Sequence, residues 1–262
     1  MGFVTVLGTD VHYVERGEGP PLVFLHGAGS CAEAWYHQFE AFSGRYHVIA
    51  YDSVNHGHSS NSPIEEPEAD RADELEGFLV ALGIDRPIIA GNSMGAMTLL
   101  RWAIRNPDRA AALIPSGMGV MAEGQARQRP ATEPLDAEAL LLPGLGGFTP
   151  AFPETHPDLY ERYVRLRSTA TRIEATRRPR STTAADPDRS EMAERVAAIR
   201  SPMQIIVGEL DWLADAATAL HERVPGSRFA MIPGAPHNVY YEAAHAYNEV
   251  VARFLAEVTA PV

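Results

Sequence analysis

Ile88–Met97 reads IIAGNSMGAM and sets a hydroxyl, Ser93, between an apolar run of strand length and one with helical spacing. A plain strand-to-helix turn needs only a break in the pattern. Here Gly91 and Gly95 flank the serine at two positions on either side, as G-x-S-x-G. Small residues there let strand and helix close tightly around a strained turn. Such a turn lifts Oγ above the sheet at a helix N-terminus, where the Met94 N–H faces a developing oxyanion. The pentapeptide therefore predicts a parallel α/β sheet with a nucleophile at its carboxyl edge.

The same rhythm extends outward from this point. PLVFLHG (21–27), HVIAYD (47–52) and AALIPSG (111–117) are short apolar runs ending in turns, and QIIVGELD (204–211) and RFAMIPG (228–234) follow later. Each reads as a buried strand. Between the second and the Ser93 strand, Asp70–Leu82 sets Ala72, Leu75, Phe78, Leu79 and Leu82 at helical spacing. Further helices are expected over Ala96–Asn106, stopped by Asn106-Pro107, between the last two strands, and from about Val239 to Leu255. FVTVLG and VHYVERGEG read as an edge hairpin. Strands alternating with helices imply a mostly parallel eight-stranded sheet with helices on both faces. Residues 118–200 break the rhythm with eight prolines, the PGLGG run (143–147) and LYERYVRLRSTATR (159–172). They predict a helical insertion into a core formed by 1–117 and 201–262. The acidic run EEPEADRADELE (65–76) reads as a solvated helix face and its approach.

Composition narrows the function. The 262 residues are 45% hydrophobic and 8% aromatic, ordinary for a globular domain. No apolar run reaches the ~18–20 residues that span a bilayer. The N-terminus lacks a basic start and a long apolar region, and the single cysteine, Cys31, forms no internal disulfide, so a cytoplasmic setting is expected. A formal charge of −12 argues against nucleic acid and anionic membranes as partners. Residues 118–200 balance 12 Arg with 12 acidic residues, whereas the remainder sets 10 Arg against 22 and carries the whole excess. All 22 basic side chains are Arg, which excludes Schiff-base lysine chemistry. His56-Gly57-His58 is too sparse for a metal site, and there is no phosphate loop or dinucleotide fingerprint. Neither metal nor cofactor is expected, and the partner is a small molecule met by a monomer or homodimer.

A serine hydroxyl needs a base and an acid to orient it. Of ten histidines, His237 follows the last strand in IPGAPHNVYYE and so stands at the carboxyl edge, where ligand crevices lie. His221 and His245 fall on helices, His156 in the insertion, and His12 and His47 on strands away from that edge. Asp211 leaves the strand IIVGELDW 26 residues before His237, giving the order Ser–Asp–His. Glu209 lies too close to the strand end, and Asp215 suits the start of the next helix. The candidate triad is Ser93, Asp211 and His237. A second oxyanion amide is expected from His26-Gly27-Ala28-Gly29, namely Ala28 N–H beside Met94 N–H. His26 is expected to hold that loop by hydrogen bonds. Trp35, Trp212 and Phe148, with Tyr36, Phe152 and Tyr163, are candidates to line a substrate pocket, with ordinary packing as the competing role for each.

HGAG (26–29), the strand-ending Asp52, HGHSS (56–60), GNSMG (91–95), GELD (208–211) and His237 together resemble the α/β-hydrolase fold superfamily over nearly the whole chain. The resemblance implies a Ser–His–Asp hydrolase whose residues 118–200 form a helical cap. Members commonly read D-x-R-G-H-G-x-S where this chain has Asp52-Ser53-Val54-Asn55-His56-Gly57-His58-Ser59. Asn55 tolerates the left-handed backbone of the replaced glycine. Pro236 stands where a glycine usually precedes the histidine. GNSMG is similar to the meta-cleavage product hydrolases, which cut C–C bonds in dienoic acids. Those usually carry Trp directly after the histidine, and this chain has Asn238. An ester or lactone hydrolase is the expectation, with C–C cleavage as one alternative and a slow or inactive small-molecule receptor as another. A nucleophilic Asp, needed for epoxide hydrolases and haloalkane dehalogenases, is absent at position 93.

Overall fold

The structure, a computed structural model, describes residues 1–62, 70–120, 147–170 and 189–258. Most of the expected insertion, including Pro143–Gly146, and positions 65–69 of the acidic run lie outside the described residues.

Eight strands form one sheet: β1 (Gly2–Val6), β2 (Thr9–Arg16), β3 (Pro21–Leu25), β4 (His47–Tyr51), β5 (Ile88–Asn92), β6 (Ala112–Ser116), β7 (Gln204–Gly208) and β8 (Arg228–Ile232). Their spatial order is β1-β2-β4-β3-β5-β6-β7-β8. β1 pairs antiparallel with β2, and β2 with β4, so the expected hairpin forms one edge. Every pairing from β4 through β8 is parallel. The central strands are continuous apolar runs because helices cover both faces. Val23, Leu25 and Ile89 face one core with Leu75, Phe78, Leu99, Trp102 and Leu220. Leu22, Phe24, Ile88 and Ala90 face the other with Trp35, Tyr247, Val251 and Phe254.

The helices follow from the apolar spacing. α1 spans Tyr36–Phe42, α2 Arg71–Ala81, α3 Met94–Arg105, α4 Phe152–Thr155, α5 Pro157–Ala170, α6 Arg189–Arg195, α7 Ala214–Arg223, α8 Val239–Glu242 and α9 Ala244–Val258. Asp70 caps α2 by accepting the Ala72 N–H at 2.8 Å, supplying one of the acceptors that a helix start lacks. α1, together with a 3₁₀ turn over Ala32–Trp35, is an element that sequence patterning does not signal. Seven residues are too few for a helical period to stand out. The single C-terminal helix expected from Val239 breaks at Ala243 (φ −104°, ψ 39°) into α8 and α9. α3 begins at Met94 rather than Ala96, directly after Ser93. Glu74 departs from the solvated face expected for the acidic run: it is buried and accepts the Val54 N–H at 3.1 Å.

Candidate active site

β5 delivers Ser93 into a left-handed conformation, φ 54° and ψ −113°, at the head of α3. A non-glycine residue there costs on the order of 1–3 kcal/mol and persists only where its surroundings enforce it. They do. A Cβ at Gly91 would stand 2.5 Å from the Gly95 carbonyl carbon, and one at Gly95 would stand 2.1 Å from the Leu25 carbonyl oxygen. The Ser93 N–H donates to Ser116 O at 2.9 Å, tying the turn to the end of β6. Met94 is the first residue of α3, so its N–H has no intrahelical acceptor.

The loop after β3 meets this turn. A Cβ at Gly27 would lie 3.5 Å from Ser93 Cβ, which puts the exposed Ala28 next to the serine's side of the sheet. His26 holds the loop as expected. Its Nδ1–H donates to Gly27 O (2.8 Å), and its Nε2 accepts the Ser53 N–H (3.0 Å). That pair of bonds requires the neutral ring. Burial, the dominant cause, pushes the His26 pKa below its usual value. His56 packs against it with ring centroids 5.1 Å apart and is held well below its usual pKa, first by burial and then by His26 and Arg71.

His237 Nδ1–H donates to Asp211 at 3.0 Å (Oδ1) and 2.9 Å (Oδ2), with both side chains buried. The Leu213 N–H also donates to Asp211 Oδ1 at 2.9 Å, which fixes the carboxylate's orientation towards the ring. With Nδ1 carrying the proton, Nε2 is the basic edge of the ring. The ring lies beside the residue that follows Ser116: a Cβ at Gly117 (φ 56°) would stand 3.1 Å from His237 Cε1 and Nδ1. One dipeptide, Ser116-Gly117, thus touches the serine turn with its carbonyl and the imidazole with its glycine. Glu209 is turned away and accepts the Gly234 N–H at 2.8 Å. Asp215 lies in the first turn of α7.

The sequence model of the alpha/beta hydrolase fold family matches residues 20–244. The chain belongs to that family. It is 28% identical over 97% of its length, and 95% of the relative's, to a 2-hydroxy-6-oxononadienedioate/2-hydroxy-6-oxononatrienedioate hydrolase of Paraburkholderia phymatum. It is 40% identical over 97 residues to an (E)-2-((N-methylformamido)methylene)succinate hydrolase of Acinetobacter baylyi, a match covering 37% of each chain. Several such curated relatives are matched over well under half of their length. Among solved structures, the N-acyl homoserine lactone degrading enzyme Est816 superposes with a TM-score of 0.77 at 25% identity, covering 97% of this chain and all of that one. The enol-lactonase of Burkholderia xenovorans LB400 shares the fold, with a TM-score of 0.80 at 23% identity and the same coverage.

In this member of the alpha/beta hydrolase fold family, the expected site residues separate into three groups. Ser93, Met94, Ala28, His237 and Asp211 gather at the carboxyl ends of β3, β5, β7 and β8. Trp212 lies next to them with its indole stacked on His237, ring centroids 4.1 Å apart. Trp35 does not line a pocket: it is wholly buried in the core, packed on Phe24 at 4.8 Å and Tyr240 at 4.1 Å. Phe148 belongs to an aromatic group with Phe152 (4.8 Å), Tyr163 (4.7 Å) and Tyr241 (5.8 Å). Tyr36 lies at that group's margin beneath the Arg162 guanidinium, 3.7 Å from the ring centroid. Arg165 pairs with Glu161 at 3.5 Å, an exposed contact of little energetic weight.

Some partners of the site were not foreseen. The residues after His237 hold α5 and the segment preceding it. The Asn238 N–H donates to Gly147 O (2.9 Å), Asn238 Nδ2 to Tyr163 OH (3.3 Å) and Tyr241 OH to Leu159 O (2.9 Å). Glu242 accepts the Thr149 N–H at 2.9 Å and the Thr149 hydroxyl. His12, expected away from the carboxyl edge, reaches it because β2 runs antiparallel; its Nδ1 bonds Asp52 Oδ2 at 2.9 Å. Buried Asp52 also accepts the Ala32 N–H (2.7 Å) and the His58 N–H (2.9 Å). Asn55 takes up the left-handed backbone expected of it, at φ 70°. Cys31 sits in the loop after β3, 5% exposed, its thiol pKa pushed up to about 12 mainly by burial. Among the described residues no cluster of His, Cys, Asp and Glu suits a metal ion, and no helix is long and apolar enough to cross a membrane.

Proposed function

We propose that this chain is a serine hydrolase that cleaves a carboxylic ester or lactone through an acyl-enzyme. The observation that carries this reading is the strained Ser93 at the head of α3, sharing the Ser116-Gly117 dipeptide with a His237 oriented by Asp211. In the reaction, Ser93 Oγ attacks the acyl carbonyl while His237 Nε2 takes its proton. Asp211 stabilises the resulting imidazolium. The Ala28 and Met94 amides receive the oxyanion, and His237 returns the proton to the departing alkoxide. Water, deprotonated by the same imidazole, then releases the acid. The described part of residues 118–200 serves as a cap, bonded to the histidine loop through Asn238, Tyr241 and Glu242.

Ser93→Ala is expected to lower kcat on p-nitrophenyl butyrate by at least ~10³-fold with unchanged circular dichroism. Wild-type turnover in that variant would overturn the nucleophile assignment. C–C hydrolysis is the second reading, favoured by the near full-length match to a dienedioate hydrolase. A panel of p-nitrophenyl esters, acyl lactones and a 2-hydroxy-6-oxo-dienoate separates the two by their ranking in kcat/KM. An acylation burst without steady turnover would instead support a receptor.

A further inference from the structure

Trp212 is half exposed, yet one face of its indole is committed to His237, with ring centroids 4.1 Å apart and planes 28° apart. His237 itself is only 7% exposed. Gly117 adjoins the same ring closely enough that a Cβ there would crowd Cε1 and Nδ1 at 3.1 Å. Asp211 fixes the Nδ1 edge at 2.9 Å, and the following residue, Asn238, is itself tied to Gly147 and Tyr163. The imidazole is therefore constrained by the indole on a face, by Gly117 and by a carboxylate, which leaves the Nε2 edge to meet a reactant.

We propose that Trp212 is a positioning residue: its indole face holds the His237 ring in plane and stabilises the imidazolium formed when Ser93 loses its proton. The inference rests on the reading of His237 as the general base. The physical basis is the indole quadrupole, whose negative face attracts a cation lying over it. The attraction exists only while the imidazole carries the extra proton, so it acts on the transition state rather than on the resting neutral ring. Among the described residues, the ionisable groups tied to this ring are Asp211 on the β7 loop, bonded to Nδ1, and, through Asn238, Tyr163 on α5. Glu209 is engaged with Gly234. Asp211 and the indole thus favour the charged ring from two directions, one in its plane and one above it.

The test compares Trp212→Phe and Trp212→Leu with wild type on p-nitrophenyl acetate and butyrate across pH 5–9. The Leu variant is expected to lose on the order of tenfold in kcat and the Phe variant only a few-fold, because phenyl keeps a weaker negative face. The acid limb of kcat/KM is expected to move to lower pH in Leu, since the imidazolium has lost a stabilising contact. An acid limb that stays in place or moves upward, a loss confined to KM, or a Phe variant as impaired as Leu would each overturn the proposal and leave Trp212 a pocket wall. Imidazole ¹⁵N titration of His237, in wild type and in both Trp212 variants, reads the same shift without any substrate. If Ser93→Ala retained turnover, the nucleophile reading would fail; the ¹⁵N titration would still decide whether the indole holds the ring's charged form.

Discussion

At the scale of single residues, two glycines decide whether the proposed chemistry can be assembled. Gly117 is confined by its positive φ and by the His237 ring. Gly117→Ala should leave the chain folded but push the imidazole off the Nε2 direction Ser93 needs, lowering kcat by ~10- to 100-fold. Steady-state kinetics beside a thermal melt checks this, and a fall in Tm without a fall in kcat would contradict it. Gly95→Ala is a different experiment. Its Cβ would meet backbone, the Leu25 carbonyl oxygen, so no side chain can move aside. A loss of about 3 kcal/mol or more in urea unfolding is expected. The nucleophile, acid and base candidates were legible because each follows a strand, and strand ends locate side chains well. Ser116-Gly117 was not, since IPSGMG contains no side chain that announces chemistry; its part is played by a carbonyl and by the lack of a Cβ. Trp35 misled for the converse reason, as an aromatic beside a loop looks the same in sequence whether it faces a pocket or the core.

At the scale of elements, α2 and α3 are joined by charge rather than by apolar contact alone. Asp70 caps α2 and also accepts Arg101 Nη2 at 2.7 Å and Arg105 Nη2 at 2.6 Å. Asp70→Ala should cost about 1–3 kcal/mol, from the lost cap and the partly buried Arg101 pair. Asp70→Asn should recover about 1 kcal/mol, because the amide oxygen still caps the helix. Equal unfolding midpoints for the two variants would show that the cap contributes nothing. Most of these elements were readable from apolar spacing, and the sheet order follows once the crossovers are right-handed. α1 escaped because it is short and its period is masked by the aromatic run. The break at Ala243 escaped because alanine favours helix; there the bonds from Asn238, Tyr241 and Glu242 to the segment before and within α5 coincide with the interruption.

For the whole molecule, pH is the variable that collects these local terms. His26 and His56 have pKa values lowered in the folded state by burial, while the unfolded chain protonates near the ordinary value of ~6.5. Between those values the unfolded state binds more protons, so stability rises with pH. Their contribution is present above about 6.5 and is lost as pH falls toward the depressed folded values. The urea midpoint should therefore drop from pH 7 to pH 5, and His56→Gln should reduce that drop. An equal drop in the variant would assign it elsewhere. Composition hinted at none of this, because a histidine's exposure depends on neighbours remote in sequence. The chain's single thiol offers a way to watch such openings. Cys31 is shut away with its thiolate suppressed, and the residue after it is pinned to Asp52. A disulfide reagent can react there only when the loop bearing Ala28 swings free. The rate of thiol labelling is then a clock for the opening of the sheet's carboxyl edge, and Asp52→Asn should make it run faster.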